Sequence, residues 1–128
     1  MSDVSVKVPA RPDVVHVLRS VIASVAARAE FTYDEIDDLR LAVDEACAQL
    51  LSLDGGAGLT MIVRDLETGG IEVLISIDAG AAAWPPLGVE HTLGWQVFSA
   101  LADEARFELV EGHPAVRLTK RRVPAGTI

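Results

Sequence analysis

The segment from Leu39 to Leu51 constrains the fold most strongly, because its apolar residues recur with the period of an α-helix. Its sequence is LRLAVDEACAQLL. On a helical wheel one apolar stripe is suited to a core, and it consists of Ile36, Leu39, Val43, Ala46, Cys47 and Leu50. A second, nearly opposite face carries Asp38, Ala42, Glu45 and Gln49. The helix therefore needs a second layer to cover the stripe, and the pattern predicts that the other face is free for chemistry.

Length and charge limit the classes of protein that remain. A chain of 128 residues fits one domain, so we expect a single domain over residues 1–128. The formal net charge of −8 predicts repulsion from nucleic acid and anionic lipid, and attraction to a basic partner. The sequence has neither an apolar run of about 18 residues nor a signal-peptide pattern. The single cysteine, Cys47, suits a reducing compartment. We expect a cytoplasmic protein that binds neither nucleic acid nor membrane.

The remaining periodicities predict alternating strands and helices. A period-two strand over Val4–Val8 precedes an amphipathic helix that starts at Val14. Thr32 and Glu35 have the spacing of a capping box at the start of the second helix. Further elements are expected as strands over 59–66 and 71–78, a helix over 91–105, and strands over 106–111 and 115–121. The order β-α-α-β-β-α-β-β predicts a two-layer α/β sandwich, with a mixed, mostly antiparallel sheet and the helices on one face.

Several polar and aromatic residues have more than one interpretation. Glu45 and Gln49 alone are equally typical of an ordinary solvated face. Asp78 directly follows a strand, where a carboxylate often starts a turn by accepting backbone N–H groups of the following residues. Trp84 lies in a loop, where core packing and an exposed interface anchor are both open. The three histidines have no carboxylate or cysteine at ligand spacing, so no metal site is predicted.

The order of motifs resembles a known family. LRLAVDEACAQLL is similar to the N-box helix of GHKL-type ATPases, most closely that of bacterial anti-sigma factors with serine kinase activity, the RsbW and SpoIIAB type. Ile77–Gly80 is similar to the DxGxG box, and Gly94 with the following SALADEARFE is similar to the second glycine box and the elements after it. The resemblance runs from Val4 to Arg121. It implies the GHKL fold, which is that of histidine-kinase-like ATPases.

The resemblance implies roles for five residues. In that family the helix glutamate is the general base of phosphoryl transfer, and the amide one turn later holds Mg²⁺. Glu45 would then be the base and Gln49 the metal-holding amide. Asp78 would read the adenine amino group, and Gly80 and Gly94 would let the backbone approach the phosphates. The implied cofactor is ATP or ADP with Mg²⁺.

Departures from the family pattern predict that nucleotide binding is weak or lost. Gln49 stands where the family has asparagine, and Mg²⁺ tolerates little displacement of oxygens held at about 2.0–2.1 Å. Ala82 replaces the second glycine of the DxGxG box, and the loop over residues 81–90 is short and apolar. No lysine or arginine lies between Arg64 and Arg106. A triphosphate would therefore lack cationic partners.

The resemblance also implies partners. Arg19 lies on the first helix where the family has an arginine that contacts both the sigma factor and its antagonist. The planar guanidinium suits such bidentate ion pairs, although a plain solubilising charge is the alternative. Trp84, if exposed, would be a second partner contact. Family members also pair with themselves, and the first strand is an edge through which this chain could form a homodimer.

These observations lead to one prediction with two alternatives. The chain is predicted to be an anti-sigma factor that sequesters an alternative sigma factor of the stress-response kind. A STAS-type anti-anti-sigma factor would release it in a partner-switching circuit. The main alternative is an active ATP-dependent serine protein kinase that phosphorylates this antagonist, with Glu45 as base. A dimerising scaffold without sigma specificity is the other.

Overall fold

The computed structural model describes residues 3–80 and 84–122 of the chain. Its elements follow the predicted order. They are β1 (Val4–Pro9), α1 (Val15–Arg28), α2 (Tyr33–Leu51), β2 (Gly58–Leu66), β3 (Gly70–Ile77), α3 (Leu93–Leu101), β4 (Glu104–Val110) and β5 (His113–Arg121). Single 3₁₀ turns at Pro12–Val14 and Val89–His91 precede α1 and α3. No helix in the described ranges is long and apolar enough to cross a membrane.

The five strands form one sheet in the order β1-β2-β3-β5-β4. Every neighbouring pair among the described strands is antiparallel, so the prediction of a mixed sheet is corrected. The reason lies in the crossover through α3. This crossover joins β3 and β4, which run in the same direction but are not neighbours in the sheet. The chain turns back after β4 in a hairpin, and β5 lies between β3 and β4, antiparallel to both.

The core lies between the sheet and a single layer of helices. Along β3 every second side chain is buried, and these are Ile71, Val73, Ile75 and Ile77. From the helices, the fully or almost fully buried side chains include Leu18 and Ile22 of α1 and the α2 stripe of Leu39, Val43, Ala46, Cys47 and Leu50. The predicted two-layer α/β sandwich is therefore confirmed, and the helices lie on one face.

The start of α2 is as predicted. Thr32 Oγ1 accepts a hydrogen bond from the Glu35 backbone N–H at 3.2 Å, and the Glu35 carboxylate accepts one from the Thr32 N–H at 2.7 Å. This reciprocal capping box satisfies two of the N–H groups that a helix start leaves without partners. It fixes where α2 begins, and with it the position of every residue on its two faces.

The second face of α2 is not free, which corrects the prediction. Ala42 on that face has no exposed surface, because α3 packs there. Gly94 near the start of α3 meets Gln49 near the end of α2. Lys120 joins Leu101 at the end of α3 to Asp38 near the start of α2. The two helices therefore run antiparallel, and α3 covers part of this face, which buries Ala42 and leaves Glu45 half-buried.

The third helix is shorter than its periodicity predicts. It ends at Leu101 rather than near Ala105, and Ala102 is already extended. The Asp103 N–H donates to Thr119 O at 2.9 Å, and Ala105 then pairs with Leu118 across β4 and β5. Ala105 is apolar because it packs against the core as part of β4. In the sequence it therefore looked like one more residue of the apolar face of α3, and the predicted helix was too long.

The face of the sheet opposite the helices carries a row of alternating charges. Arg64 approaches Asp3 at 3.3 Å and Glu72 at 4.0 Å. Arg117 then pairs with Glu72 at 2.7 Å and with Glu108 at 2.6 Å. The row runs from the start of β1 across all the strands, and it keeps this uncovered face polar.

Candidate functional site

Three of the predicted site residues meet where α3 begins. Gln49 Nε2 donates a hydrogen bond to Glu45 Oε2 at 3.0 Å, and both side chains are half-buried on α2. A Cβ added to Gly94 would lie 3.0 Å from Glu45 Oε2 and still closer to Gln49 Nε2. Glycine leaves room here for the ends of these two flexible side chains, which an alanine methyl would push aside. The helix start above this contact is fixed by Thr92, whose hydroxyl accepts from the Trp95 N–H at 3.2 Å.

This arrangement does not fit a bound Mg²⁺·ATP. Magnesium requires a near-octahedral set of oxygens, yet Gln49 turns its amide nitrogen toward Glu45. The α3 backbone at Gly94 lies close enough that an added Cβ would meet both side chains. Within the described ranges, no three His, Cys, Asp or Glu side chains converge into a metal-binding group. Gln49 Nε2 and Glu45 Oε2 bind each other beneath the start of α3.

Asp78 makes hydrogen bonds that do not involve Glu45 or Gln49. Its Oδ1 accepts hydrogen bonds from the Gly58 N–H at 2.6 Å and the Ala57 N–H at 2.8 Å. These bonds, that from Gly58 above all, lower the pKa of the Asp78 carboxyl. Ile77 and Ala79 on either side are buried, whereas Asp78 is exposed. The carboxylate thus closes the turn that leads into β2, so its contacts run to residues 20 and 21 positions earlier rather than to the following residues that the turn interpretation named.

Gly80 and Gly94 differ in how closely their surroundings approach. A Cβ on Gly80 would meet no heavy atom within 4 Å, so no neighbouring group requires glycine there. Ala82, which was singled out beside it, lies outside the described residues. Of the two predicted phosphate-loop glycines, only Gly94 makes a close approach, and its contact is with α2 of the same chain.

Trp84 is part of the core, which corrects its prediction as an exposed anchor. Only 6% of its surface is exposed. Its ring stacks on Phe107 with centroids 4.8 Å apart and planes inclined by 3°. Nε1–H donates to Glu108 O at 3.0 Å and to Ala115 O at 3.3 Å. A buried indole with its N–H satisfied has no surface left for a partner.

Arg19 lies at the junction of α1 and α2. Its Nε is 3.1 Å from Asp44 Oδ1, close enough for an ion pair although not aligned as a hydrogen bond. Both side chains are 38% exposed. Sequence reasoning missed Asp44, because the pairing depends on how α1 and α2 pack. The ion pair orders the guanidinium while leaving part of it accessible.

Cys47 lies beside that ion pair. Arg19, Asp44 and Cys47 line a cleft of about 490 Å³ between the two helices. Burial raises the pKa of the Cys47 thiol to about 12, and the charge of Asp44 adds to this effect while Arg19 opposes it. Arg19 is therefore a cation near the thiol that the sequence alone does not indicate. The thiol nevertheless remains a packing group.

Lys120 is a second residue that sequence reasoning missed. Its Nζ donates to Leu101 O at 2.9 Å and to Asp38 Oδ2 at 3.3 Å, and 13% of the side chain is exposed. It lies on β5, in a segment where alternation predicts only an ordinary polar strand position. The ammonium group ties the end of α3 to α2, and so helps to hold α3 over Glu45 and Gln49.

The sequence profile of the histidine kinase-like ATPase domain family matches residues 8–120. The chain belongs to this family. The serine-protein kinase RsbW of Bacillus pumilus is 43% identical over 137 aligned positions, which cover 91% of this chain and 84% of that protein. The RsbW of Bacillus subtilis is 50% identical over 44 residues, but these are only 34% of this chain and 28% of that protein. The predicted resemblance to the RsbW type is confirmed.

A solved structure shares the fold. It contains the RsbU and RsbW domains of a Mycobacterium tuberculosis protein, and it matches all of this chain with a TM-score of 0.75. The identity is 16%, and the match covers 35% of the longer chain. At this identity the likeness concerns the fold alone. It confirms the histidine-kinase-like ATPase fold.

Proposed function

We propose that this chain is an anti-sigma factor of the RsbW type. It binds an alternative sigma factor in the cytoplasm and is released by competition from a STAS-type anti-anti-sigma factor. The observation that carries the proposal is the seating of Gly94 on the Glu45–Gln49 pair. Gln49 Nε2 and Glu45 Oε2 are used inside the chain, which favours protein binding over nucleotide chemistry as the activity of this family member.

The charge of the molecule supports this choice of partner. The net charge of −8 attracts proteins with basic surfaces, and proteins that bind DNA carry such surfaces. Arg19, ordered by Asp44 and partly exposed, is the proposed contact to a carboxylate of the partner. We also propose that the chain acts as a single domain and forms a homodimer, for which β1 offers a free strand edge.

Capture of a sigma factor tests the proposal directly. The tagged chain is expected to co-purify with a sigma factor from cells of the source bacterium, and calorimetry with that purified protein gives the dissociation constant. Arg19→Glu should weaken binding by about tenfold or more, because it reverses a charge at the interface. Arg121→Glu, on the exposed end of β5, is the matched control. Failure to capture any sigma factor would reject the proposal.

An active serine protein kinase is the second candidate. Two observations favour it: the relatives carry the name serine-protein kinase, and Glu45 has no cationic partner among the described residues. Calorimetry with ATP and Mg²⁺ separates the two candidates. Sequestration alone predicts no binding even at about millimolar nucleotide, whereas a kinase binds and transfers phosphate to its antagonist, and loses transfer in Glu45→Ala.

A further inference from the structure

We infer that the surface around Glu45 is a docking face for a basic amphipathic helix of the sequestered protein. This face is formed by Leu41 and Glu45 of α2, Glu90 of the turn before α3, and Leu93 of α3. The inference rests on the proposed function and deepens it, because it names where the partner is held and by what chemistry.

Two exposed leucines flank the carboxylate. Leu41 lies one helical turn before Glu45 and is 53% exposed. Leu93 is the first residue of α3 and is 77% exposed. It adjoins Gly94, whose backbone touches Glu45. Single exposed leucines are ordinary, but two on either side of one carboxylate form an apolar rim at which a helix can bury its own apolar side chains.

The charges around this rim are acidic and in part unbalanced. Along α2 six acidic residues stand against the single basic Arg40. Asp37 pairs with Arg40 and Asp44 with Arg19, but neither Glu45 nor Glu90 has a cationic partner within the described ranges. Glu45 gives one oxygen to Gln49, which leaves Oε1 to accept from a partner. A lysine or arginine beside the rim would supply the missing counter-charge.

These features identify the occupant as a basic helix with apolar residues three or four positions apart. Such spacing places its apolar side chains on one stripe, which can meet Leu41 and Leu93, while lysine or arginine beside the stripe reaches Glu45. A second copy of this chain fits poorly, because its own net charge of −8 would bring like charges together. An acidic or phosphorylated segment is disfavoured for the same reason.

The first experiment measures the affinity of the captured sigma factor for matched leucine variants. Leu41→Ser and Leu93→Ser should each weaken binding by about tenfold, the scale of a buried interface contact. Leu109→Ser is the control, because Leu109 is 50% exposed on the edge strand β4 rather than on α2 or α3. It should change the affinity less than about twofold. Thermal unfolding of each variant verifies that the fold is intact.

The outcomes separate the docking face from the proposed function. If the wild-type chain captures no sigma factor, the proposed function fails. If capture succeeds but both leucine variants bind as tightly as Leu109→Ser, the sigma-binding role is kept and the docking face is rejected. Loss of affinity in Leu41→Ser and Leu93→Ser alone supports the face.

A synthetic peptide tests the chemistry without any sigma factor. The probe is an amphipathic helix of leucine and lysine, compared with the same helix carrying glutamate in place of lysine. The lysine peptide should bind the wild-type chain and lose about tenfold in affinity with Glu45→Lys, whereas the glutamate peptide should not bind. Equal binding of the lysine peptide to Glu45→Lys and wild type would overturn the inference.

Discussion

Asp78 and Gln49 each use their polar atoms to hold this chain together. Asp78 accepts two backbone N–H groups at the turn into β2, and Gln49 donates to Glu45 beneath α3. In a nucleotide site both side chains would instead face the ligand. Substitution of each residue should show whether its hydrogen bonds stabilise the fold.

Asp78 should make stability depend on pH in the acid range. Its pKa is lowered in the folded state from an unfolded value near 3.9, so the unfolded chain binds the proton more tightly. The ionised Asp78 carboxylate therefore stabilises the fold above about pH 4, and this stabilisation is lost as the pH falls through the folded pKa. Urea unfolding from neutral to acid pH should show a shallower acid decline for Asp78→Asn than for wild type. Asp54→Asn, at an exposed position, is the matched control.

Cys47 should be inert in the folded protein. The thiolate is the reactive form, and burial raises the pKa of this thiol to about 12. Ellman's reagent at mildly alkaline pH is expected to label the chain in urea but not under native conditions. Fast labelling of the native chain would show that the cleft beside Arg19 opens readily.

Sequence reasoning predicted some of these residue contacts and missed others for a clear reason. Glu45 and Gln49 are four positions apart on one helix, so their proximity follows from helical geometry. The bonds from Ala57 and Gly58 to Asp78 were missed, because they join residues 20 and 21 positions apart at the ends of neighbouring strands. The pairing of Arg19 with Asp44 was missed as well, because it depends on the way two helices pack.

The element that decides access to the Glu45–Gln49 pair is α3. It is held at its start by the close approach of Gly94, and at its end by the bonds from Lys120 to Leu101 O and Asp38. Each attachment involves a residue of another element, so each can be removed without changing the helix itself.

The contact at Gly94 can be measured by a double-mutant cycle with Gln49. Gly94→Ala improves helix propensity by roughly 0.5–1 kcal/mol, but in wild type the new methyl must displace the Gln49 amide from Glu45. That lost hydrogen bond costs about as much, so little net change is expected. In the Gln49→Ala background the same substitution should stabilise the fold. Additive effects in urea unfolding would contradict the close approach.

Lys120→Met should destabilise the fold by about 1–3 kcal/mol, because it leaves a helix-end carbonyl and a carboxylate without their donor. Hydrogen exchange should increase most at the end of α3. Arg121→Met removes the neighbouring cation, whose side chain is exposed and pairs with Glu104. That control should cost less than about 1 kcal/mol. Equal losses in the two variants would contradict the role of Lys120.

Local signals predicted the start of α2 but not the end of α3. The capping box at Thr32 and Glu35 involves neighbours in sequence, so its hydrogen bonds can be inferred from residue types. The helical pattern of the third helix continued to Ala105 because strands and helices both bury alanine. Only the pairing with β5, which is distant in sequence, shows where that helix ends.

At the scale of the whole molecule, the acidic charge should govern how fast a partner arrives. Oppositely charged proteins associate faster at low salt, and screening removes this advantage. With a net charge of −8, the association rate with the captured sigma factor is expected to fall by about tenfold from low to high salt, with a smaller change in the dissociation rate. Surface plasmon resonance over a salt series gives both rates. A flat association rate would argue against a basic partner.

The overall architecture followed from the sequence, but the strand order did not. One apolar face per helix and two hairpins were enough to predict two layers. The insertion of β5 between β3 and β4 depends on contacts between distant residues, which periodicity does not record. The position of α3 over the second face of α2 was missed for the same reason, although Ala42 on that face was a small apolar signal.

The chain's two tryptophans both lie against one ring of the sheet. Trp84 stacks on Phe107, and Trp95 of α3 meets the same ring edge-on with centroids 5.7 Å apart. Any movement of α3 or of the preceding loop away from the strands would alter the polarity around at least one indole. The protein therefore carries a built-in optical reporter, and ligand titrations can be followed by intrinsic emission without attaching a dye.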